Sequence, residues 1–134
     1  SFYSYVATVV EVSVINNKVK LHNIWSVLDC GMILNKNNVL NQMEGAAVFG
    51  TSIALHGKIT AKDGKIEQSN FHDYKMARMN DIPPIDITLI ESDEAPTGVG
   101  EPGVPPIAPA ITNAIFNATG KRYRSLPLSD HGLV

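Results

Sequence analysis

A single carboxylate, Glu101, stands in the run Thr97-Gly98-Val99-Gly100-Glu101-Pro102-Gly103-Val104-Pro105-Pro106. Between Gly98 and Pro106 there are three glycines, three prolines and no other ionisable side chain. The glycines permit close approaches that a Cβ forbids. The prolines fix φ and remove N–H donors. A backbone constrained in this way holds its carboxylate in a set direction, which suits a catalytic acid or base. The same composition suits a loop turning into a helix, with the carboxylate facing helix N–H groups. The residues alone leave both readings open.

Gln42 is the second candidate, beside Glu44-Gly45-Ala46. Its amide both donates and accepts, which fits a carbonyl, an oxo group or a cofactor amide; on the residues alone an ordinary solvent-facing glutamine is the more common case. His22, His56, His72 and His131 are scattered, with no i, i+4 pair and no CxxC. A zinc hydrolase built on them therefore lacks ligand spacing. His72, in Asn70-Phe71-His72-Asp73-Tyr74, could line a pocket or be a satisfied structural histidine. Cys30, the one cysteine, excludes an internal disulfide and reads as a small buried hydrophobe at a strand end. No Ser/His/Asp set, P-loop or dinucleotide fingerprint is present.

The elements that must position these residues follow from periodicity. Residues 4–15 alternate, with Val6, Thr8, Val10, Val12 and Val14 on one face, which predicts a strand. Asn16-Asn17 supplies a turn, and Val19 to Cys30 reads as the returning strand of a long antiparallel hairpin. A helix is expected from Val39 to Leu55, capped by Asn37 or Asn38. Its Gly45, Gly50 and small side chains weaken helicity and imply close packing. Residues 58–68 read as a short hairpin around Lys62-Asp63-Gly64-Lys65, and 69–81 as an irregular crossover ended by Pro83-Pro84. A strand over 85–91 precedes the Glu101 loop. A second helix is expected over 107–119, ended by Gly120 and followed by the basic run Lys121-Arg122-Tyr123-Arg124. Residues 125–134 read as a tail. The fold class expected is α+β, with layered antiparallel hairpins and strands packed against two helices.

With 134 residues, 44% hydrophobic and 18% charged, the chain can bury a real core in one domain. Its net charge of −2 is unremarkable, and nothing in the charge pattern points to nucleic acid. No apolar run is long enough for a transmembrane helix. Ser1-Phe2-Tyr3-Ser4 leads straight into a strand pattern without Met, as expected for a piece of a longer polypeptide.

Four stretches together resemble the C-terminal part of the molybdenum-binding large (β) subunit of the xanthine oxidase family, of the isoquinoline 1-oxidoreductase β-subunit and aldehyde dehydrogenase type. They are Asp29-Cys30-Gly31 through Asn35, Gln42-Met43-Glu44-Gly45-Ala46, Asn70-Phe71-His72-Asp73-Tyr74 to Pro83, and Gly100-Glu101-Pro102-Gly103-Val104-Pro105-Pro106-Ile107-Ala108-Pro109-Ala110 with Asn113-Ala114 and Thr119-Gly120-Lys121-Arg122.

The resemblance implies residues 1–128 as the C-terminal segment of a molybdopterin-binding domain, followed by a tail over 129–134. It implies hydroxylation of an aldehyde or N-heterocycle with oxygen from water, Glu101 acting as general base. Gln42, Val99 and Gly100 are the implied cofactor contacts. The cofactor would be molybdopterin in the cytosine dinucleotide form, with Mo held through the pterin and no direct protein ligand. The implied partners are the remainder of the large subunit and a small subunit carrying [2Fe–2S] clusters, which Cys30 alone cannot supply. The isolated chain is expected to be inactive and to retain no cofactor. The competing reading is a non-enzymatic binding or assembly module. The compartment of such a bacterial-type enzyme, periplasm or cytoplasm, stays open.

Overall fold

The computed structural model describes residues 3–134; Ser1 and Phe2, read as the lead-in to the first strand, lie outside the described residues. The long hairpin forms as the alternation requires. Strand β1 spans Tyr5–Ile15 and β2 spans Lys18–Asp29, paired antiparallel. Asn16 and Asn17 both adopt positive φ, 52° and 60°, the conformation of a two-residue turn that matches strand twist. The register shifts between Glu11 and Val12, whose partners are Asn23 and Leu21, leaving His22 as the extra residue. That bulge keeps both Leu21 and Ile24 on the core side although they are three apart.

Helix α1 runs Lys36–Leu55, three residues earlier than the apolar pattern suggests. Its cap is Asn35 rather than Asn37 or Asn38: the Asn35 side chain accepts from the Asn38 N–H at 3.0 Å. A cap serves the donor of the third helical residue, so the polar triplet after Asn35 is the first turn and not the approach to it. Val39, Met43, Ala46, Ala47, Gly50 and Ala54 form its buried stripe. The small residues serve the expected close packing. A Cβ on Gly50 would lie 2.7 Å from the Ile107 Cβ.

The short hairpin consists of β3, Ala61–Lys62, and β4, Lys65–Ile66. A 3-10 turn over Met79–Asp81 then leads to β5, Ile85–Ile90. β5 pairs parallel to β2, so the three-stranded sheet, ordered β1-β2-β5, is mixed rather than wholly antiparallel. A parallel neighbour needs a crossover, and α1 with the segment after it supplies one.

Helix α2 runs Ile107–Thr119 and ends on Gly120 at φ 72°. Ile107, Ile111 and Ile115, four apart, are fully buried and seat it in the main core with Val10, Ile24 and Leu55. Each such isoleucine contributes roughly 2 kcal/mol of apolar burial. The closing residues, expected as a tail, pack instead. Leu128 and Leu133 are buried in the same core, and the Val19 N–H donates to the Leu133 carbonyl at 2.8 Å. Apolar residues five apart, with a 3-10 turn between them, were too short a pattern to reveal this contact. No helix among the described residues is long and apolar enough to cross a membrane.

Candidate functional site

The Glu101 loop is fixed by contacts on both sides of the carboxylate. On the upstream side the Thr97 N–H and Oγ1 both reach the Cys30 carbonyl, at 2.9 and 3.0 Å. Ser4 Oγ donates to the Gly98 carbonyl at 2.7 Å and lies 2.6 Å from Thr97 Oγ1. Val99 packs its side chain against a second core cluster of Leu28, Cys30, Val39 and Met43. Just before this, the Met32 N–H donates to the Glu94 carbonyl at 2.9 Å. The backbone at 94–95 lies directly on Gly31, where a Cβ would meet the Ala95 carbonyl oxygen at 2.3 Å. Gly31 also has φ +73°, which only glycine adopts cheaply.

On the downstream side Pro102 and Gly103 are buried. A Cβ on Gly103 would be 2.8 Å from the Ala46 Cβ and 3.0 Å from the Met43 sulfur, so the backbone rests on α1. The Val104 N–H closes a turn onto the Glu101 carbonyl at 2.9 Å, and the Ile107 N–H closes the next onto Val104 at 3.2 Å. Gly100 and Glu101 remain exposed between these anchors.

Helix α2 has no side-chain cap and no acidic residue in its first turn, and Glu101 makes no hydrogen bond to it. Gln42 is exposed on α1, one residue before Met43, so the contact of Gly103 with Met43 brings the Gln42 turn and the Glu101 loop to the same part of the fold. Val99 is half-buried, its side chain packed against the core cluster. Among the described residues, no protein group accepts from the N–H of Val99, Gly100 or Glu101. A Cβ on Gly100 would meet nothing within 4 Å. N–H donors without a protein acceptor, open space beside a glycine, an amide and a carboxylate together fit a bulky cofactor rich in acceptor atoms.

The remaining candidates lie elsewhere. Among the described residues no three His, Cys, Asp or Glu side chains gather to hold a metal ion. His22 pairs with Ser13 at 2.8 Å, and His131 lies 3.0 Å from Ser125 Oγ and edge-on to Tyr123. His72 is exposed beside Asp73. His56 is buried at the end of α1, with no partner for Nδ1 among the described residues; burial, and then Lys75, depress its pKa below the usual imidazole value. Cys30 is buried, as a small hydrophobe should be, and burial followed by the charge of Asp29 raises its pKa. Sequence reasoning missed Ser4, Thr97, Gly31 and Met43. Their role rests on contacts across the chain and leaves no local pattern.

Residues 1–83 match the family model of the molybdopterin cofactor-binding domain. The chain is also 41% identical over 112 residues to the isoquinoline 1-oxidoreductase subunit beta of Brevundimonas diminuta, covering 84% of this chain. The chain belongs to the molybdenum-binding domains of the xanthine oxidase family. Another member, the xanthine dehydrogenase molybdenum-binding subunit of Escherichia coli O157:H7, is 36% identical over 119 residues and covers 84% of the chain. The crystal structure of the aldehyde oxidoreductase of Desulfovibrio desulfuricans ATCC 27774 superposes with a TM-score of 0.78 at 32% identity, over 92% of the chain and 14% of that protein. The chain spans only 14% and 16% of the length of the two sequence relatives. The molybdopterin-domain match ends before the Glu101 loop.

Proposed function

We propose that this chain supplies the general base and one face of the cofactor site to a molybdenum hydroxylase that oxidises an aldehyde or an N-heterocycle with oxygen from water. The observation that carries this reading is the loop from Thr97 to Val104, anchored on both flanks while Gly100 and Glu101 stay open. When bound, molybdopterin, proposed in its cytosine dinucleotide form, supplies a Mo centre that activates water and takes up the electron pair. Glu101 accepts the proton that water must lose before its oxygen attacks the electron-poor carbon. The Gln42 amide and the backbone N–H groups of Val99 and Gly100 donate to acceptor atoms of the cofactor. The anchors at Thr97, Val99 and Gly103 keep the carboxylate in place through the proton transfer.

The substrate class is supported by the names of the relatives, an isoquinoline oxidoreductase and an aldehyde oxidoreductase among them. Electrons leave through [2Fe–2S] clusters, which we place on a small partner subunit; the one thiol of this chain is buried and cannot ligate them. The chain, its closing residues included, forms the C-terminal segment of the molybdopterin domain of a large subunit whose remainder completes the site. The isolated chain is then inactive; turnover after cofactor reconstitution would overturn that point.

The direct test is Glu101→Gln in the complete enzyme. The expected outcome is a loss of turnover of roughly 10²–10⁴-fold with Mo and pterin content unchanged. Retained turnover removes Glu101 from the chemistry.

A further inference from the structure

The sheet carries its helices on one face only. Val10, Ile24 and Leu28 point to that face and are buried. The opposite face should be polar in a sheet bathed by water, since antiparallel strands alternate apolar-in and polar-out. It is not. The register places Val9 opposite Trp25, Ala7 opposite Val27 and Tyr5 opposite Asp29, and β5 continues the row with Thr88 beside Val27 and Ile90 beside Asp29. Directly paired residues share a face, so Tyr5, Val9, Trp25, Val27 and Ile90 form one continuous apolar patch. Their exposures are 75%, 64%, 41%, 36% and 45%. The chain's one tryptophan stands in its middle strand. A contiguous apolar patch with aromatic anchors marks an interface rather than a solvated surface. Glu11, Asp29 and Asp86 lie on the same face around it. The complementary surface is therefore apolar at its centre and basic at its rim.

We propose that this open face is the seat of the rest of a longer molybdenum-binding chain, a surface of apolar residues edged by Lys or Arg from the same polypeptide. The proposal rests on the functional reading above. What selects this occupant is the length of the relatives: the chain spans 14% and 16% of the two compared, so most of such a polypeptide lies outside the matched region. A segment tethered to the face meets it at high effective concentration, which neither a second copy nor a separate subunit does.

The test is hydroxyl-radical footprinting of the full polypeptide that carries these residues, read by mass spectrometry at Tyr5 and Trp25. Core Tyr123, 7% exposed, is the internal reference for a buried ring. The expected result is oxidation of Tyr5 as slow as that of Tyr123, with Trp25 slowed in parallel and both unchanged on dilution or on removal of other subunits. Oxidation of Tyr5 several times faster than Tyr123 overturns the proposal. Protection that disappears on dilution or subunit removal also overturns it, and gives the face to a second copy or another chain. Mo and pterin content of the same sample separates the two claims. Full cofactor with a reactive Tyr5 refutes the surface alone, and protection without cofactor refutes the functional reading alone.

Discussion

The Glu101 loop and the crossover over residues 69–81 are both irregular backbone, yet they are held in different ways. The loop's anchors come from far along the chain: Thr97 to Cys30, Gly98 to Ser4 and Gly103 to α1. The crossover is held largely by its own neighbours. The Asp73 carboxylate accepts from the Ser69 N–H at 2.8 Å, Ser69 Oγ at 2.9 Å and the Asn70 N–H at 3.0 Å. The Arg78 N–H donates to Asp81 at 2.7 Å, and a bond from the Ala77 N–H to Ser52 Oγ ties the segment to α1. Phe71 and Met79 stand 85% and 93% exposed. Local hydrogen bonds fix the shape of a segment, whereas long-range anchors fix its place relative to the rest of the fold. A group that must meet a cofactor within a fraction of an ångström belongs on the second kind of support.

The long-range anchorage is most sensitive at Gly31. Gly31→Ala combines a left-handed backbone with a clash against the Ala95 carbonyl, and is expected to cost about 3 kcal/mol in denaturant unfolding of the chain. A cost near zero would mean that residues 94–95 do not rest on Gly31. Next is Gly103→Ala, whose added methyl meets Ala46 and Met43. It should cost about 1–3 kcal/mol and, in the complete enzyme, lower turnover more than the stability loss explains, because the loop must lift off α1. Thr97→Val removes the hydroxyl bonded to Cys30 and next to Ser4, for about 1 kcal/mol on the same unfolding measurement.

Asp73→Asn is the smallest and the most diagnostic. The Asn70 and Ser69 N–H groups hold the Asp73 pKa down at about 2 from an ordinary 3.8. A depressed carboxylate pKa contributes stability that is complete above the unfolded value and is lost as pH falls through the folded one. The 69–73 turn should therefore keep its amide protection above pH 4 and lose it toward pH 2. Asp73→Asn should speed exchange of the Ser69 and Asn70 amides at neutral pH while leaving turnover of the complete enzyme unchanged. A turnover loss comparable to that of Gly103→Ala would erase the distinction between the two segments.

Periodicity carried most of the secondary structure. The alternating valines of β1, the Asn16-Asn17 turn and the isoleucines of α2 each encode their element within a few residues, so each was legible. Three features were not. The start of α1 depended on which of several neighbouring asparagines caps it, a choice settled by one side-chain hydrogen bond from Asn35. The parallel placement of β5 and the packing of residues 128–134 depended on where distant surfaces meet.

The candidate site divides along the same line. The types and spacing of Gly98 to Pro106 were enough to single out Glu101, and the neighbouring motifs were enough to mark Gln42, because glycine, proline and a lone carboxylate speak through local geometry. Only the tertiary structure decided that Ser4, Cys30, Met43 and Ala46 hold that loop, and that it leans on the helix turn next to Gln42. The physical reason is chain separation. Hydrogen bonds and van der Waals contacts between residues some sixty to ninety positions apart exist only once the sheet and α1 have brought them together.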